Sequence, residues 1–229
     1  MPSKAHFTPA LFKFLKELKA HNDRDWFKAH KDQYDRDVKE PALAFIRDFA
    51  PRLQKISPHF RADPRPVGGS LFRIQRDTRF SKDKSPYKTH TGIQFRHEAG
   101  KDAHCPGFYL HLEPGSVFVG LGIWHPDSQT AGRIRASLDE HPADWKRAVY
   151  GKPFSTRYSL QGDSLKRPPR GFDPEHPFLE DLKRKDFIAG CEVPLKDVTS
   201  ADFLDRFTSL CKDGVPLVRF LCQAVGVAF

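Results

Sequence analysis

Between Arg73 and Lys88 the chain carries Arg73, Arg76, Arg79, Lys82, Lys84 and Lys88, interleaved with Asp77, Asp83, Phe80 and Tyr87. A guanidinium presents a planar fork of donors that matches two oxygens of a carboxylate or phosphate at once. Arg73, Arg76 and Arg79, three residues apart and bracketing an aspartate, can therefore build one oriented anion pocket, with Lys84 and Lys88 adding charge. In that pocket Asp77 or Asp83 would orient a guanidinium from behind or act as a base. The Tyr87 hydroxyl would add a directional hydrogen bond, or its ring a stacking surface. Any reaction there would rest on stabilising a developing negative charge, each well-placed donor contributing roughly 3–4 kcal/mol. The same side chains can instead pair among themselves as an Arg–Asp network that braces the fold.

A second constellation lies further on. Tyr109, His111 and Glu113 alternate along one candidate strand, and Phe118, Gly120, Gly122 and Trp124 along the next. His111 beside Glu113 suits an acid/base pair or two metal ligands, but no third ligand stands at a diagnostic spacing, so no metal is expected. The glycines let a ligand or a helix approach the backbone closely, and helices packed on this face are the expectation. The basic loop 165–171 is expected to be solvated. The chain has no Walker loop, no G-x-G-x-x-G, no G-x-S-x-G, no H-E-x-x-H and no nucleic-acid module signature.

The elements that must position these groups follow from periodicity. Thr8-Pro9 starts a helix in which Leu11, Phe12, Leu15 and Leu18 recur at helical spacing. Asn22-Asp23 opens a second helical region with Trp26, Phe27 and Tyr34, and a third runs from about Pro41 to Ile56. After a turn-rich break the period becomes two: Thr91, Ile93 and Phe95, then Phe108, Leu110 and Leu112, then Val117, Val119, Leu121 and Ile123. Glu113-Pro114-Gly115-Ser116 is a turn, which predicts the pairs Leu112–Val117, Leu110–Val119 and Phe108–Leu121 on one apolar face. The motif strand is expected to end near Gln75, with a loop from there to Lys88.

Helices are predicted over 127–138 and 142–149, a long surface loop over 154–177 and a strand over 185–193. Two C-terminal helices are predicted, near 200–212 and 216–224. The expected fold is α+β, a central antiparallel sheet flanked by N- and C-terminal helices. It forms a single domain over 1–229: helical over 1–57, sheet-forming over 66–125, mixed helix and loop over 126–229.

Composition bounds the partners. With 38% hydrophobic and 29% charged residues the chain is a globular one. A net charge of +9 favours a polyanionic partner, and nucleic acid is one candidate. Cys105, Cys191, Cys211 and Cys222 lie far apart, which fits reduced thiols and a cytoplasmic location rather than a disulfide scaffold or zinc site. No apolar run reaches the roughly 18 residues of a membrane span, so no membrane partner is expected.

The string R-x-x-R-D-x-R-F, followed by D-K and then Y, is present as Arg73, Arg76, Asp77, Arg79, Phe80, Asp83, Lys84 and Tyr87. With Asn22, Trp26-Phe27, Lys31, Tyr34, Pro86-Tyr87-Lys88, Gly107-Phe108-Tyr109 and Trp124…Pro126, the chain resembles the bacterial family called domain of unknown function 2461 (DUF2461) over nearly its whole length. That resemblance implies a hallmark made of Arg, Asp, Lys and Tyr, which suggests a site but names no cofactor and no ligand. The expected function is binding of a phosphorylated or carboxylated small molecule at Arg73, Arg76, Arg79, Lys84, Tyr87 and Lys88. The alternatives are a nucleic-acid-binding module and a structural protein braced by the motif.

Overall fold

The computed structural model describes residues 5–100 and 104–229. Helix α1 (Pro9–Ala20) buries Leu11, Phe12, Leu15 and Leu18 as their spacing requires. Pro9 occupies its first turn, and Thr8 precedes it without a side-chain cap. Asp23 caps α2 (Arg24–Ala29), its carboxylate accepting the Asp25 and Trp26 N–H groups at 3.0 and 2.8 Å. Helix α3 (Lys31–Tyr34) widens into a π-helical turn over Asp35–Lys39, just before Pro41, which lacks the N–H that a regular ladder needs. Helix α4 (Glu40–Ile56) then buries Leu43, Ile46, Phe49 and Leu53.

Strands β1 (Thr91–Arg96), β2 (Gly107–Glu113) and β3 (Ser116–Ile123) form an antiparallel meander. The hairpin register is the predicted one: Leu112 faces Val117, Leu110 faces Val119 and Phe108 faces Leu121. Helices α5 (Ser128–Glu140) and α6 (Pro142–Tyr150) follow close to their expected bounds, α5 capped by Asp127. The stretch from 154 to 177 is not all loop. It begins with α7 (Phe154–Arg157) and the short strand β4 (Ser159–Gln161), which three residues are too few to reveal by alternation. Helix α8 (Leu179–Leu182) leads into β5 (Phe187–Glu192), which pairs with both β3 and β4, so the sheet order is β1-β2-β3-β5-β4.

After α9 (Leu195–Val198), the two expected C-terminal helices are one helix, α10 (Phe203–Val225), running through Pro216. Proline costs a helix one hydrogen bond and some strain, roughly 3 kcal/mol. Burial on both sides of it offsets that: Phe207, Cys211, Leu217, Val218 and Leu221 are all fully buried. The segment 57–90 is also less regular than expected. No strand ends at Gln75; instead, single bridges (Phe60 to His97, Leu71 to Ile93) lay the segment intermittently along the outer edge of β1.

All the helices that build the core gather on one face of the sheet. Phe95, Phe108, Leu110, Leu112, Val119 and Leu121 are buried there. Phe207 of α10 meets Phe95 at 5.8 Å and Phe49 of α4 at 4.8 Å, ring centre to ring centre. The buried side chains join into one hydrophobic cluster spanning Phe7 to Cys222. The α+β architecture with a central antiparallel sheet is therefore the observed one. No helix among the described residues is long and apolar enough to cross a membrane.

Candidate functional site

The basic segment is a two-legged loop standing off the β1 edge. Its legs are tied by the bridge between Gln75 and Tyr87, by Arg76 N–H donating to the Pro86 carbonyl at 2.9 Å and by Lys88 N–H donating to the Ile74 carbonyl at 2.7 Å. Asn22 clamps the base, its amide donating to the Tyr87 carbonyl at 3.0 Å and its carbonyl accepting the Tyr87 N–H at 3.1 Å. The Tyr87 ring is buried and stacked on Phe27 at 4.1 Å, which places it in the core. Asn22→Ala strands both backbone groups and is expected to lower stability by about 1–3 kcal/mol, read from urea unfolding.

Within the loop the arginines do not meet at one point. Arg76 pairs with Asp83, and Arg79 grips Asp77 through two parallel bonds of 3.0 and 2.7 Å. Arg79 pulls the Asp77 carboxyl down to about 2, while the Ser85 donors, then Arg76, hold Asp83 far below the usual carboxylate range. Lys84 donates to the Thr78 carbonyl at 2.9 Å. Phe80 stands at the tip, 96% exposed, with the Arg79 guanidinium 5.8 Å from its ring. Like Lys84, Arg73 and Lys88 make no ion pair with a described carboxylate, although the Arg73 charge helps to lower the Asp77 carboxyl. Lys88 Nζ donates to the Arg73 carbonyl at 2.9 Å and lies 5.4 Å from the Phe72 ring. Burial, then the neighbouring Arg73, pushes the Lys88 ammonium below its ordinary range.

Lys88 points attention to the open face of the sheet. The helices expected to cover it lie on the opposite face, and a cleft of about 530 Å³ remains. Phe72, Tyr109, Phe118 and Trp124 supply aromatic walls, Gly120 and Gly122 form part of the floor, and Lys88, His90, Gln94 and Gln161 supply polar groups. Tyr109 faces Gly120 across the hairpin as predicted. Its hydroxyl sits so close to β1 that a methyl group on Gly92 would come within 2.6 Å of it. The volume and the mostly aromatic lining with few polar groups are those of a small-molecule site, which spans roughly 300–1,000 Å³. A wider depression of about 910 Å³ beside α4 is more open, and polar groups on its wall are already paired, His6 with Asp48 at 2.8 Å.

At one end of this face Tyr109, His111, Glu113 and Thr89 form a hydrogen-bonded chain. The Tyr109 hydroxyl meets His111 Nδ1 at 3.0 Å, His111 Nε2 meets Glu113 Oε2 at 3.3 Å, and Thr89 Oγ1 donates to Glu113 Oε1 at 3.2 Å. The His90 ring lies tilted by 30° against that of His111, ring centres 4.6 Å apart. Burial and the adjacent His111 bring the His90 imidazole down to about 4, and burial lowers His111 against the pull of Glu113. Both rings are therefore neutral near pH 7. Burial pushes the Tyr109 phenol upward, so it stays protonated.

Alternation in the sequence singles out Tyr109, His111, Glu113, Phe118 and Trp124, but not Phe72, His90, Gln94 or Gln161. Phe72 and Gln161 reach the cleft through the Leu71–Ile93 bridge and the pairing of β4 with β5; for His90 and Gln94 the missing signal is the β1–β2 register. Thr91 pairs with Leu112, so residue 90 falls beside Glu113 and residues 90, 92 and 94 share the open face.

The profile of a family described as a conserved hypothetical protein (DUF2461) matches residues 10–220. No curated protein matches the chain.

Proposed function

The chain belongs to the DUF2461 family, and we propose that it binds a phosphorylated or carboxylated small molecule whose flat apolar part lies in the sheet-face cleft. One observation carries this reading. Lys88 is a half-buried cation on the wall of an aromatic-lined cleft, with no described carboxylate in an ion pair with it and the exposed Arg73 guanidinium nearby. Partial burial and the charge of the exposed Arg73 nearby both disfavour the Lys88 ammonium, and an anion relieves that cost. The aromatic walls receive a planar body, and Gln94 and Gln161 fix its polar edge. Arg76, Arg79, Asp77 and Asp83, paired in the loop above, shape the approach to Lys88 and are not its ligand groups in this reading.

The test is a thermal-shift and calorimetric panel in a chelating buffer, using phosphate, sugar phosphates, nucleotides, aromatic carboxylates and short oligonucleotides at two salt concentrations. A ligand at about a hundred times its dissociation constant adds about 2.7 kcal/mol of stability. Lys88→Met is expected to fold normally and bind the hit about 10–100-fold more weakly, as losing a charged hydrogen bond of roughly 1.5–3 kcal/mol requires. Unchanged affinity in that variant sinks the assignment. A second reading rests on Phe80, an almost fully exposed aromatic among Arg79, Lys82 and Lys84, which suits base stacking on a single strand. Binding confined to oligonucleotides and falling steeply with salt would favour it.

A further inference from the structure

His90 precedes β1, and His111 and Glu113 alternate on β2. One nitrogen of each imidazole and one oxygen of the carboxylate all lie within 4.8 Å of one another. We propose that His90, His111 and Glu113 form a binding site for a divalent transition-metal ion, Zn²⁺ being the ion best suited to the donors, with a coordination position left open toward the cleft. The site stands apart from the anion reading, since it needs no ligand in the cleft.

Three features carry it. The first is donor chemistry: two imidazoles and a carboxylate suit Zn²⁺, Co²⁺ or Fe²⁺, whereas Mg²⁺ and Ca²⁺ seek all-oxygen shells. Three protein ligands are also the number found in catalytic zinc sites, where the fourth position stays open. The second is the fit. Bonds of about 2.1 Å in a tetrahedron put neighbouring ligand atoms about 3.4 Å apart, and His111 Nε2 and Glu113 Oε2 stand 3.3 Å apart.

The third is the shell behind the donors. The Tyr109 hydroxyl engages His111 Nδ1 and the Thr89 hydroxyl engages Glu113 Oε1, so that Nε2 and Oε2 face each other, and an ion binding between them takes the place of the proton they share, which is released. Metal-bound histidines and carboxylates are held from behind in this way. A purely structural role explains the Tyr109–His111–Glu113 chain but not His90. That imidazole is half-buried, and among the described residues it makes no hydrogen bond, so its nitrogens are left for a ligand.

The full chain, stripped with chelator and dialysed, is titrated with Zn²⁺ by calorimetry and with Co²⁺ by visible absorption, without any anionic ligand. One equivalent is expected to bind, with the d–d bands of Co²⁺ in a nitrogen/oxygen shell. His90→Ala and Glu113→Gln are each expected to weaken binding by at least about 100-fold, and Tyr109→Phe, which alters only the support, by about 10-fold. Circular dichroism and thermal midpoints establish that each variant is folded, and Glu113→Gln keeps the shape of the side chain if His90→Ala does not fold. Wild-type affinity in His90→Ala or Glu113→Gln, an intense thiolate band placing Co²⁺ on a cysteine, or no uptake at millimolar ion would each overturn the proposal. The anion panel runs in chelator and this titration without anion, so either proposal can fail alone.

Discussion

Gly122→Ala is expected to destabilise the protein by about 4 kcal/mol, measured as a lowered urea midpoint at unchanged slope. Gly122 lies near the end of β3 at φ +117°, a conformation that side-chain-bearing residues rarely adopt. Forcing such a residue there costs about 1–3 kcal/mol. A methyl group at that position would also overlap the Phe187 carbonyl oxygen and come within 2.9 Å of Ile188 Cα. Both obstacles are backbone atoms of β5, the strand paired with β3 at this point, so neither can swing aside. Overpacking of this kind adds about 1–3 kcal/mol. Because Gly122 also lines the cleft, parting β3 from β5 would disturb binding with it. Gly132→Ala is the matched control: nothing lies within 4 Å of the added methyl, and α5 is expected to gain roughly 0.5–1 kcal/mol. A wild-type midpoint for Gly122→Ala would mean that β3 and β5 are not so closely apposed.

Asp181→Ala is the second large effect, about 3–5 kcal/mol, the range for breaking a buried ion pair by removing one partner. The Asp181 carboxylate is buried and accepts hydrogen bonds from Trp145 Nε1 at 2.8 Å, the Tyr150 hydroxyl at 2.8 Å and Arg184 Nε at 3.0 Å. Removing it leaves a shielded guanidinium and the N–H of a fully buried indole without their acceptor. Asp77→Ala, by contrast, breaks an exposed, solvent-screened pair with Arg79 and is expected to leave the urea midpoint essentially unchanged. Equal effects of the two substitutions would refute the distinction.

Burial and Asp181 also push the Tyr150 phenol up to about 12. A raised folded-state value means the protonated form is the one favoured by folding. Its contribution is thus whole below pH 10 and lost as pH rises from about 10 to 12.

Arg76, Arg79, Asp77 and Asp83 illustrate the limit of a charge motif read from sequence. Residue types showed that guanidiniums and carboxylates stand close together, but not that they pair as Arg76–Asp83 and Arg79–Asp77 while Lys88 makes no ion pair with a described carboxylate. Which cation remains available depends on how the loop folds back at Gln75 and Tyr87, and three-residue spacing carries no trace of that. Tyr87 has a polar hydroxyl and a large apolar ring; Asn22 and Phe27, sixty or more residues earlier in the chain, draw it into the core.

The sequence by itself determined the elements whose signals are local. Alternation around Pro114-Gly115 specified the hairpin register, because a one-residue slip would expose Leu110 and Val119. Helical spacing specified α1, α4 and the burial of their apolar faces. Tertiary structure alone decided three things. Burial carried α10 through Pro216, overriding a local breaker with packing that local sequence does not show. The helices chose the Leu110 face of the sheet and left the Tyr109 face open, so that a cleft exists at all. The pairing of β1 with β2 brought His90 to His111 and Glu113. The physical reason is the same in each case. Side-chain parity and helical phase are set within a few residues, whereas convergence on a site depends on strand pairing and on which surface is covered, and both are properties of the whole chain.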